Sequence, residues 1–598
     1  MRTSIATVSL SGSLTEKLTA ASRAGFDGVE IFENDLLASP LTPEEIRARC
    51  ADLGLTIDLY QPVRDIEALP EEEFTRALRR ARHKFELMRR LGADTVLVCS
   101  SVSPHALDDD ALAAEQLSRL AGLAEDHGVR VAYEALAWGR HISTYDHAWR
   151  VVESADHPAL GTCLDSFHIL SRGSDPKGIE DIPGEKIFFL QLADAPLLAM
   201  DVLQWSRHYR CFPGQGGFDV AGLVRHVLRA GYEGPLSLEV FNDVFRQSEA
   251  GPTAVDARRS LLTLQETVGL VTPPAPAAST GIAFAELVTP DAAPVSAVLG
   301  ALGFSRTARH RGKPVDLWQR GDARVLVNTG PAERRDGTRL AAVGLESPDP
   351  AGAARRAEAL LAPVLPRRRA PGDAALEAVA APDGTELFFC ATGRPGLPDW
   401  RADFEDVAHP SHDGEPWRVD HLSLTQPWHQ FDEAALFHRA VLGLRPQESV
   451  DVADPYGLLR SRAVSTDDGA VRIVLTVGPA PTDDTAHAQH IALATDDVVA
   501  AARRYREAGG PLLPIPANYY DDLAARFEFA DGELETYREL GILYDRDAHG
   551  TFRHCYTHTV GRVFFELVQR DGGYRGYGAA NAPVRLAAQH AVRRFTGG

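Results

Sequence analysis

Short apolar runs alternate with longer amphipathic segments over the first 265 residues, and this alternation restricts the fold more than any other feature. Segments such as LTEKLTAASRAGF and EEEFTRALRRARHKFELMRRLG separate the runs and have helical periodicity. Eight runs of strand length, each followed by a helical pattern, predict a (β/α)8 TIM barrel. The runs are residues 4–10, 27–32, 55–60, 94–100, 130–136, 160–166, 187–194 and 235–241.

An open, doubly wound sheet is the alternative architecture for the same alternation. Dinucleotide-binding sheets of that kind carry a Gly-rich phosphate turn after the first strand. No such turn follows the run at 4–10, so we favour the barrel.

The segment VTPPAPAAST at 271–280 separates two regions of different pattern. Prolines and small residues bury little apolar surface and form a semi-stiff spacer. We therefore predict a barrel domain at 1–268, a Pro/Ala linker at 269–280 and a second domain at 281–598.

The second region contains four units that begin near residues 281, 340, 417 and 487. Each unit begins with a strand, continues into one helix and then into several strands. Two segments share the same pattern, which indicates an internal duplication. They are IAFAELVTPDAAPVSAVLGALGF and HLSLTQPWHQFDEAALFHRAVLGL. We predict repeated α+β modules of βαβββ type, in two halves at 281–400 and 415–598.

Composition excludes several classes of protein. A net charge of −21 argues against a nucleic-acid or anionic-membrane partner. The six cysteines have no CxxC spacing, as expected for reduced thiols. We find no signal peptide and no apolar stretch of about 18 residues. We expect a cytoplasmic enzyme acting on a small molecule, with the oligomeric state, including a homo-oligomer, left open.

Oxygen ligands stand at the ends of the last four barrel strands: Glu134, Asp165, Gln191 and Glu239. Strand ends converge on the catalytic face of a barrel. Three carboxylates and one amide oxygen suit a hard divalent cation such as Mg2+ or Mn2+. Capping of the following helices is the alternative for any one of them.

Other polar residues follow the same strands. His168 lies three residues beyond Asp165, where a histidine beside a metal can be a general base. Arg64 and Arg210 offer forks that match a carboxylate, and Ser206 lies close to Arg210 in sequence. A supporting role for His168 and simple solvation of the arginines are the alternatives.

Four motifs in roughly residues 1–265 resemble bacterial 3-dehydroshikimate dehydratases of the sugar-phosphate-isomerase-like barrel superfamily. The motifs are VAYEALAWGRHI, LDSFHILSRG, YRCFPGQGGFD and LSLEVFND. The resemblance implies Mg2+, Mn2+ or Co2+ at the four strand-end ligands. It also implies conversion of 3-dehydroshikimate to protocatechuate in quinate and shikimate catabolism.

In that reaction the metal would act as a Lewis acid at the substrate ketone. The general base is left open between His168 and a metal-bound hydroxide, with Lys84 and Tyr60 as further candidates. Sugar isomerisation or epimerisation on the same scaffold is an alternative function. The expected catalytic residues are His168, Glu134 and Glu239, and the expected substrate ligands are Arg64, Ser206 and Arg210.

Five motifs in roughly residues 281–590 resemble 4-hydroxyphenylpyruvate dioxygenase, a member of the vicinal-oxygen-chelate fold. The motifs are DHLSLT, QHIALATDD, NYYDDLAARF, GILYDRD and FFELVQRDGGYRGYGAAN. The resemblance implies that His421, His490 and Glu566 form a facial triad on one metal, Fe2+, Mg2+ or similar. The half at 281–400 lacks these histidines and has Cys390 near the place of the glutamate, so we expect it to be metal-free.

The sequence departs from the dioxygenase pattern at positions that line that family's pocket. Leu475-Thr476-Val477 replace a polar pair, His554 replaces a glutamine, and Ala582 replaces an aromatic residue. Turnover of 4-hydroxyphenylpyruvate is therefore in doubt. An inactive dioxygenase-like domain, an active non-haem iron dioxygenase, and a structural or ligand-binding module are the three hypotheses for the second domain.

Overall fold

The computed structural model divides the chain into two compact units, Met1–Thr272 and Pro273–Gly598. Within the described residues, no helix is long and apolar enough to cross a membrane. The predicted domain limits at 268 and 281 stay predictions. The structure describes residues 1–330, 337–366, 372–407, 417–478 and 488–596.

The first unit is a closed barrel of eight parallel strands in sequential order, with β1 paired to β8. This confirms the predicted TIM barrel, and each strand overlaps its predicted run. The strands are β1 Thr3–Ala6, β2 Gly28–Phe32, β3 Thr56–Arg64, β4 Thr95–Cys99, β5 Arg130–Glu134, β6 Leu160–Asp165, β7 Ile187–Leu192 and β8 Leu236–Leu238.

Helices follow the strands and pack their apolar faces on the barrel. Local signals set their ends: Ser13 and Glu16 form a capping box at the first helix, and left-handed Gly92 ends the fourth. The helices are α1 Leu14–Arg23, α2 Glu33–Ala38, α3 Pro43–Asp52, α4 Glu71–Leu91, α5 Asp110–Glu125, α6 Tyr145–Ala155, α7 Ser166–Ser171, α8 Val202–His208, α9 Val220–Arg229 and α10 Ala250–Thr267.

The first half of the second unit is an eight-stranded sheet in the order β14-β15-β13-β9-β12-β11-β10-β16. Its two modules begin with β9 and β13, close to the predicted starts. The elements are β9 Gly281–Val288, α11 Ala292–Ala301, β10 Ser305–His310, β11 Val315–Arg320, β12 Ala323–Asn328, β13 Arg339–Glu346, α12 Pro350–Ala359, β14 Glu377–Ala380, β15 Glu386–Cys390 and β16 Phe404–Asp406.

The second half repeats this arrangement in the order β18-β19-β20-β17-β21-β24-β23-β22. Two additional helices, α15 and α16, interrupt its last module. The elements are β17 Arg418–Thr425, α13 Phe431–Ala440, β18 Arg445–Asp454, β19 Gly457–Ser465, β20 Arg472–Val477, β21 Gln489–Ala494, α14 Val498–Glu507, α15 Ala517–Arg526, α16 Glu533–Leu540, β22 Leu543–Arg546, β23 Gly550–Tyr556, β24 Val563–Gly572 and α17 Ala582–Thr596.

Candidate active site and candidate metal centre

The strand-end carboxylates of the barrel are buried at one end of the sheet. Glu134 ends β5, Asp165 ends β6 and Glu239 directly follows β8. All three are at most 5% exposed. Parallel strands bring their carboxyl ends to one face, which is why residues far apart in sequence meet here.

Glu134, Asp165 and His168 offer donor atoms that all lie within 4.8 Å of one another. His168 Nε2 is 3.9 Å from Glu134 Oε1 and 3.8 Å from Asp165 Oδ2. Glu134 Oε1 is buried without a hydrogen-bond partner among the described residues. A buried anionic oxygen without a partner is costly unless a cation binds it.

Arg210 occupies the space between two of these carboxylates. One terminal nitrogen donates to Asp165 Oδ2 at 2.8 Å and to Glu239 Oε2 at 3.1 Å. The other terminal nitrogen and Nε donate to Ser206 Oγ at 2.9 and 3.1 Å. The guanidinium is 1% exposed, so protein groups already use the forks that were expected to bind substrate.

The pKa values show how crowded the negative charge is. Burial raises the pKa of Glu134 well above its usual range, and Asp165 and Glu239 raise it further. Burial raises the pKa of Glu239 to about 7, against the lowering effect of Arg210. One guanidinium does not offset three carboxylates. The donor set fits a divalent cation, which supplies the missing positive charge.

Gln191 in β7 is held by a carboxylate that the sequence analysis missed. Its Nε2 donates to Glu30 Oε2 at 2.6 Å, and Gln61 Nε2 donates to the same oxygen at 2.8 Å. Ser237 donates to the other oxygen. A polar residue inside the apolar run DGVEIF is the signal that could have revealed Glu30. This network fixes the amide plane of Gln191.

His168 is buried beside Trp138, with ring centroids 5.0 Å apart. The Ala137 backbone N–H donates to His168 Nδ1 at 3.1 Å. Burial lowers the pKa of His168 to about 3, although Asp165 opposes the shift. A terminal nitrogen of Arg210 also lies 3.3 Å from His168 Nε2. A neutral ring cannot accept at both nitrogens, and the Ala137 contact is the shorter, so we assign the ring proton to Nε2.

A pocket of about 710 Å3 opens above these residues. His168, Ser206, Arg210, Glu134 and Glu239 line it. Its volume lies in the range typical of small-molecule sites.

Arg64, at the end of β3, also lines this pocket and is exposed to it. The structure thus brings most of the predicted barrel residues to one pocket, whereas Asp165 and Gln191 are buried and are not among the lining residues. Only Arg64, among the predicted substrate ligands, presents a guanidinium that protein carboxylates do not already occupy within the described residues.

The second unit brings together His421 on β17, His490 on β21 and Glu566 on β24. The two Nε2 atoms are 3.1 Å apart, and they lie 3.2 and 3.1 Å from Glu566 Oε2. All three side chains are buried. Two imidazole nitrogens converging on one carboxylate oxygen fit a bound cation.

Asp420 orients the first of these histidines. Its Oδ2 lies 2.8 Å from His421 Nδ1, and Arg570 donates to it at 2.9 Å. Such a carboxylate holds the ring proton on Nδ1 and leaves Nε2 for a metal. A register shift between Val419 and His421 breaks the strand alternation and lets adjacent residues both be buried.

His554, noted in the sequence as a replacement for glutamine, contacts Glu566, the glutamate of the predicted triad. Its Nδ1 is 2.7 Å from Glu566 Oε1, and its Nε2 is 3.0 Å from Asn581 Nδ2. The ring is 0% exposed. His554 therefore orients Glu566 and does not face an open pocket.

Helix α17 covers the triad. A cavity of about 20 Å3 beside His490 is lined by Thr476, Arg585 and Gln589, among others. This volume holds about one water molecule. The cavity is too small for an aromatic substrate.

The half predicted to be metal-free contains a further group of donors, His310, Asp373 and Asp403, whose ligand atoms lie within 4.8 Å of one another. None of them lies on β9, β13 or β15, the counterparts of the triad strands. The group is therefore not a duplicate of the triad, and the metal-free expectation for that half stays a prediction.

Comparison with known proteins also distinguishes a barrel in the first unit from dioxygenase-like regions in the second. Residues 18–266 match the xylose isomerase-like TIM barrel family. Residues 418–534 match the glyoxalase/bleomycin resistance protein/dioxygenase superfamily, and residues 274–342 match the N-terminal family of hydroxyphenylpyruvate dioxygenase. The molecule is a fusion of a xylose isomerase-like barrel with a dioxygenase-superfamily unit.

Relatives that align over the full length of the chain identify its family. The chain is 44% identical to the 3-dehydroshikimate dehydratase of Pseudomonas putida and 45% identical to that of Pseudomonas aeruginosa, each alignment covering 99% of both chains. A solved xylose isomerase-like TIM barrel/4-hydroxyphenylpyruvate dioxygenase fusion protein superposes with a TM-score of 0.90 at 43% identity, over 99% of this chain and 100% of that one. The chain belongs to the 3-dehydroshikimate dehydratase family, which confirms the resemblance found in the sequence.

Proposed function

We propose that the first unit dehydrates 3-dehydroshikimate to protocatechuate. The observation that carries the proposal is the group of buried carboxylates, including the unpartnered oxygen of Glu134, beneath a pocket of about 710 Å3. The full-length relatives at 44% and 45% identity are named for this activity. We extend the proposal to a cytoplasmic role in quinate and shikimate catabolism and to the domain limits predicted from the sequence.

Glu134, Asp165, Gln191 and Glu239 would hold the divalent metal, which we propose to be Mg2+, Mn2+ or Co2+. When bound, the metal supplies Lewis-acid polarisation of the substrate ketone. Arg210 keeps Asp165 and Glu239 apart and oriented through its 2.8 and 3.1 Å hydrogen bonds. In this proposal Arg210 and Ser206 are positioning residues.

Arg64 is the proposed ligand of the ring carboxylate. It lines the pocket, it is exposed, and its guanidinium makes no hydrogen bond within the described part of the chain. A guanidinium fork matches a carboxylate in two parallel hydrogen bonds. Binding of the ring carboxylate by Arg64 would turn the ketone of the substrate toward Glu134, Asp165 and Glu239.

From the sequence, His168 is a candidate for the general base. The Ala137 N–H bond to Nδ1 leads us to propose a different role. The Nε2 proton would be donated to the ketone oxygen as negative charge develops on it, in the manner of an oxyanion donor. Removal of the carbon-bound proton then needs another group.

Replacing His168 tests this role. His168→Gln keeps an N–H donor, and we expect kcat to fall roughly tenfold, against roughly 1000-fold for His168→Ala. The measurement is steady-state formation of the aromatic product by its ultraviolet absorbance. Equal losses in the two variants would contradict the donor role and return His168 to the role of base.

For the second unit we propose a closed metal centre with a structural duty, holding Fe2+ or Mg2+. The observation that favours it is the 20 Å3 cavity under α17, together with the enclosure of His554 and Glu566 in one hydrogen-bond network. The cavity beside the triad has room for about one water molecule, so an aromatic oxo acid cannot reach the metal through it.

Oxygen consumption tests this second proposal. We expect the iron-loaded protein to consume no oxygen above background with 4-hydroxyphenylpyruvate or with protocatechuate, measured with an oxygen electrode. An active hydroxyphenylpyruvate dioxygenase is the positive control. Substrate-dependent oxygen uptake that disappears in a His421→Ala variant would show instead that the second unit is an active dioxygenase.

A further inference from the structure

A charged pair on the pocket wall has no part in the chemistry described so far. Glu33 begins α2, Lys84 lies in α4, and both line the pocket. The Lys84 ammonium donates to Glu33 Oε1, and the buried Tyr60 hydroxyl donates to the same oxygen at 2.9 Å. The side chains of the pair are 26% and 25% exposed. The pair is therefore held in place and still open to the pocket.

The other carboxylate oxygen of Glu33 is available for chemistry. Oε2 makes no hydrogen bond with any residue in the described ranges, since both bonds to this side chain go to Oε1. An ionised carboxylate oxygen can accept a proton, and an ammonium has three protons to donate. Glu33 and Lys84 thus present an acceptor and a donor side by side.

The shape of the substrate requires a third point of attachment. In 3-dehydroshikimate the ketone, the carboxylate and the departing hydroxyl stand on alternate ring carbons, so they point in three directions. In this proposal the protein carboxylates Glu134, Asp165 and Glu239 lie with His168 on the side of the substrate ketone. Arg64 binds the ring carboxylate of the substrate. Glu33 follows β2 and His168 follows β6, and these strands lie opposite each other in the barrel order. The pair therefore faces the ring from the side opposite His168.

We propose that Glu33 and Lys84 are the acid–base pair that eliminates water, an inference that rests on the proposed dehydratase function. Glu33 Oε2 takes the proton from the ring carbon beside the ketone, and the C–H electron pair moves into the ketone as an enolate. Those electrons then form the new C=C bond while the neighbouring C–O bond breaks. Lys84 protonates the departing hydroxide, which leaves as water.

The pair resets itself through its own hydrogen bond, because protonated Glu33 returns its proton to the neutral Lys84 amine. The remaining step is a tautomerisation that makes the ring aromatic. Glu33 takes one proton from the ring methylene, His168 gives one to the ketone oxygen, and solvent restores both side chains. The sum is loss of one water, and no oxidant or reductant is needed.

Kinetics of variants of the full-length, metal-loaded enzyme test the inference. In Lys84→Met and in Glu33→Gln we expect kcat to fall roughly 100-fold or more, while KM changes less than about threefold. Lys84→Arg should not restore kcat, because a guanidinium does not give up its proton. His208→Gln is the matched control, since His208 and Asp243 form another ionisable pair at 2.9 Å on the pocket wall.

A second readout separates catalysis from a structural effect. In deuterated buffer, Lys84→Met should still exchange the hydrogen beside the ketone in unreacted substrate, because Glu33 can remove it without Lys84, whereas Glu33→Gln should not. Melting temperatures equal to that of the natural protein would show that the variants are folded.

Full activity in Lys84→Arg, or a loss in His208→Gln as large as in Lys84→Met, would overturn the inference. So would absence of exchange in Lys84→Met. Unchanged kcat in both pair variants, with product formed by the natural enzyme, would overturn this inference alone. Absence of product from the natural enzyme would instead contradict the dehydratase function.

Discussion

Replacing Glu134 by glutamine is expected to reduce dehydration by at least roughly 1000-fold while leaving the barrel folded. Among the four strand-end ligands within the described residues, Glu134 is the one with a buried oxygen, Oε1, that has no hydrogen-bond partner, so this oxygen has most to gain from a cation. Glutamine has the same shape but offers a neutral oxygen. The remaining ligands would then hold the metal weakly, and activity would fall with it.

Folding should survive this change for an electrostatic reason. Burial and the neighbouring carboxylates Asp165 and Glu239 already raise the pKa of Glu134, which means that its charge is unfavourable in the metal-free fold. Removing that charge should leave the melting temperature of the metal-free protein unchanged or higher.

The measurement is initial rate together with bound metal per chain by elemental analysis, with Glu153→Gln, an exposed glutamate of α6, as the control. Glu239→Gln should behave like Glu134→Gln. Full activity in both variants would refute the metal site in the barrel.

Replacing Glu566 by glutamine is expected to destabilise the second unit by about 3 kcal/mol and to abolish metal binding there. Its two oxygens face His421, His490 and His554 at 3.2, 3.1 and 2.7 Å, and these partners hold the pKa of the glutamate well below its usual range despite burial. Loss of the charge leaves three buried imidazoles without their common partner.

Dehydration should stay within about twofold of the natural rate in this variant, because the triad contributes no group to the barrel pocket. Thermal unfolding followed by calorimetry, with and without a chelator, measures the effect. The control is Glu507→Gln, an exposed glutamate at the end of α14. The structural duty would be refuted by a Glu566→Gln protein that melts like the natural one and no longer responds to the chelator.

Much of the fold could be predicted because local pattern and overall architecture agree in this chain. Eight buried strands separated by amphipathic helices leave few arrangements other than a closed barrel. The strand ends then follow, and with them the positions of Glu134, Asp165 and Glu239. The duplication in the second unit was visible for the same reason, since β9 and β17 begin modules with matching strand and helix periods.

The parts that could not be predicted depend on side-chain direction and on breaks in regular geometry. A long side chain such as that of Arg210 can point into the pocket or back onto Asp165 and Glu239, and sequence spacing does not decide between these two directions. The Nδ1 partner of His168 is a backbone N–H on another loop. Asp420 is buried beside His421 only because the strand register shifts. Helix α17 covers the triad through tertiary packing that no local pattern shows.

The most direct test of the central claim is reconstitution of the metal-free protein with Mg2+, Mn2+ or Co2+ in the presence of 3-dehydroshikimate, followed by the ultraviolet absorbance of the product. We expect a phenolic chromophore to form only after a metal is added and at a rate proportional to the metal bound in the barrel. A lack of product with every metal, or the same rate in the metal-free protein, would contradict a metal-dependent dehydratase.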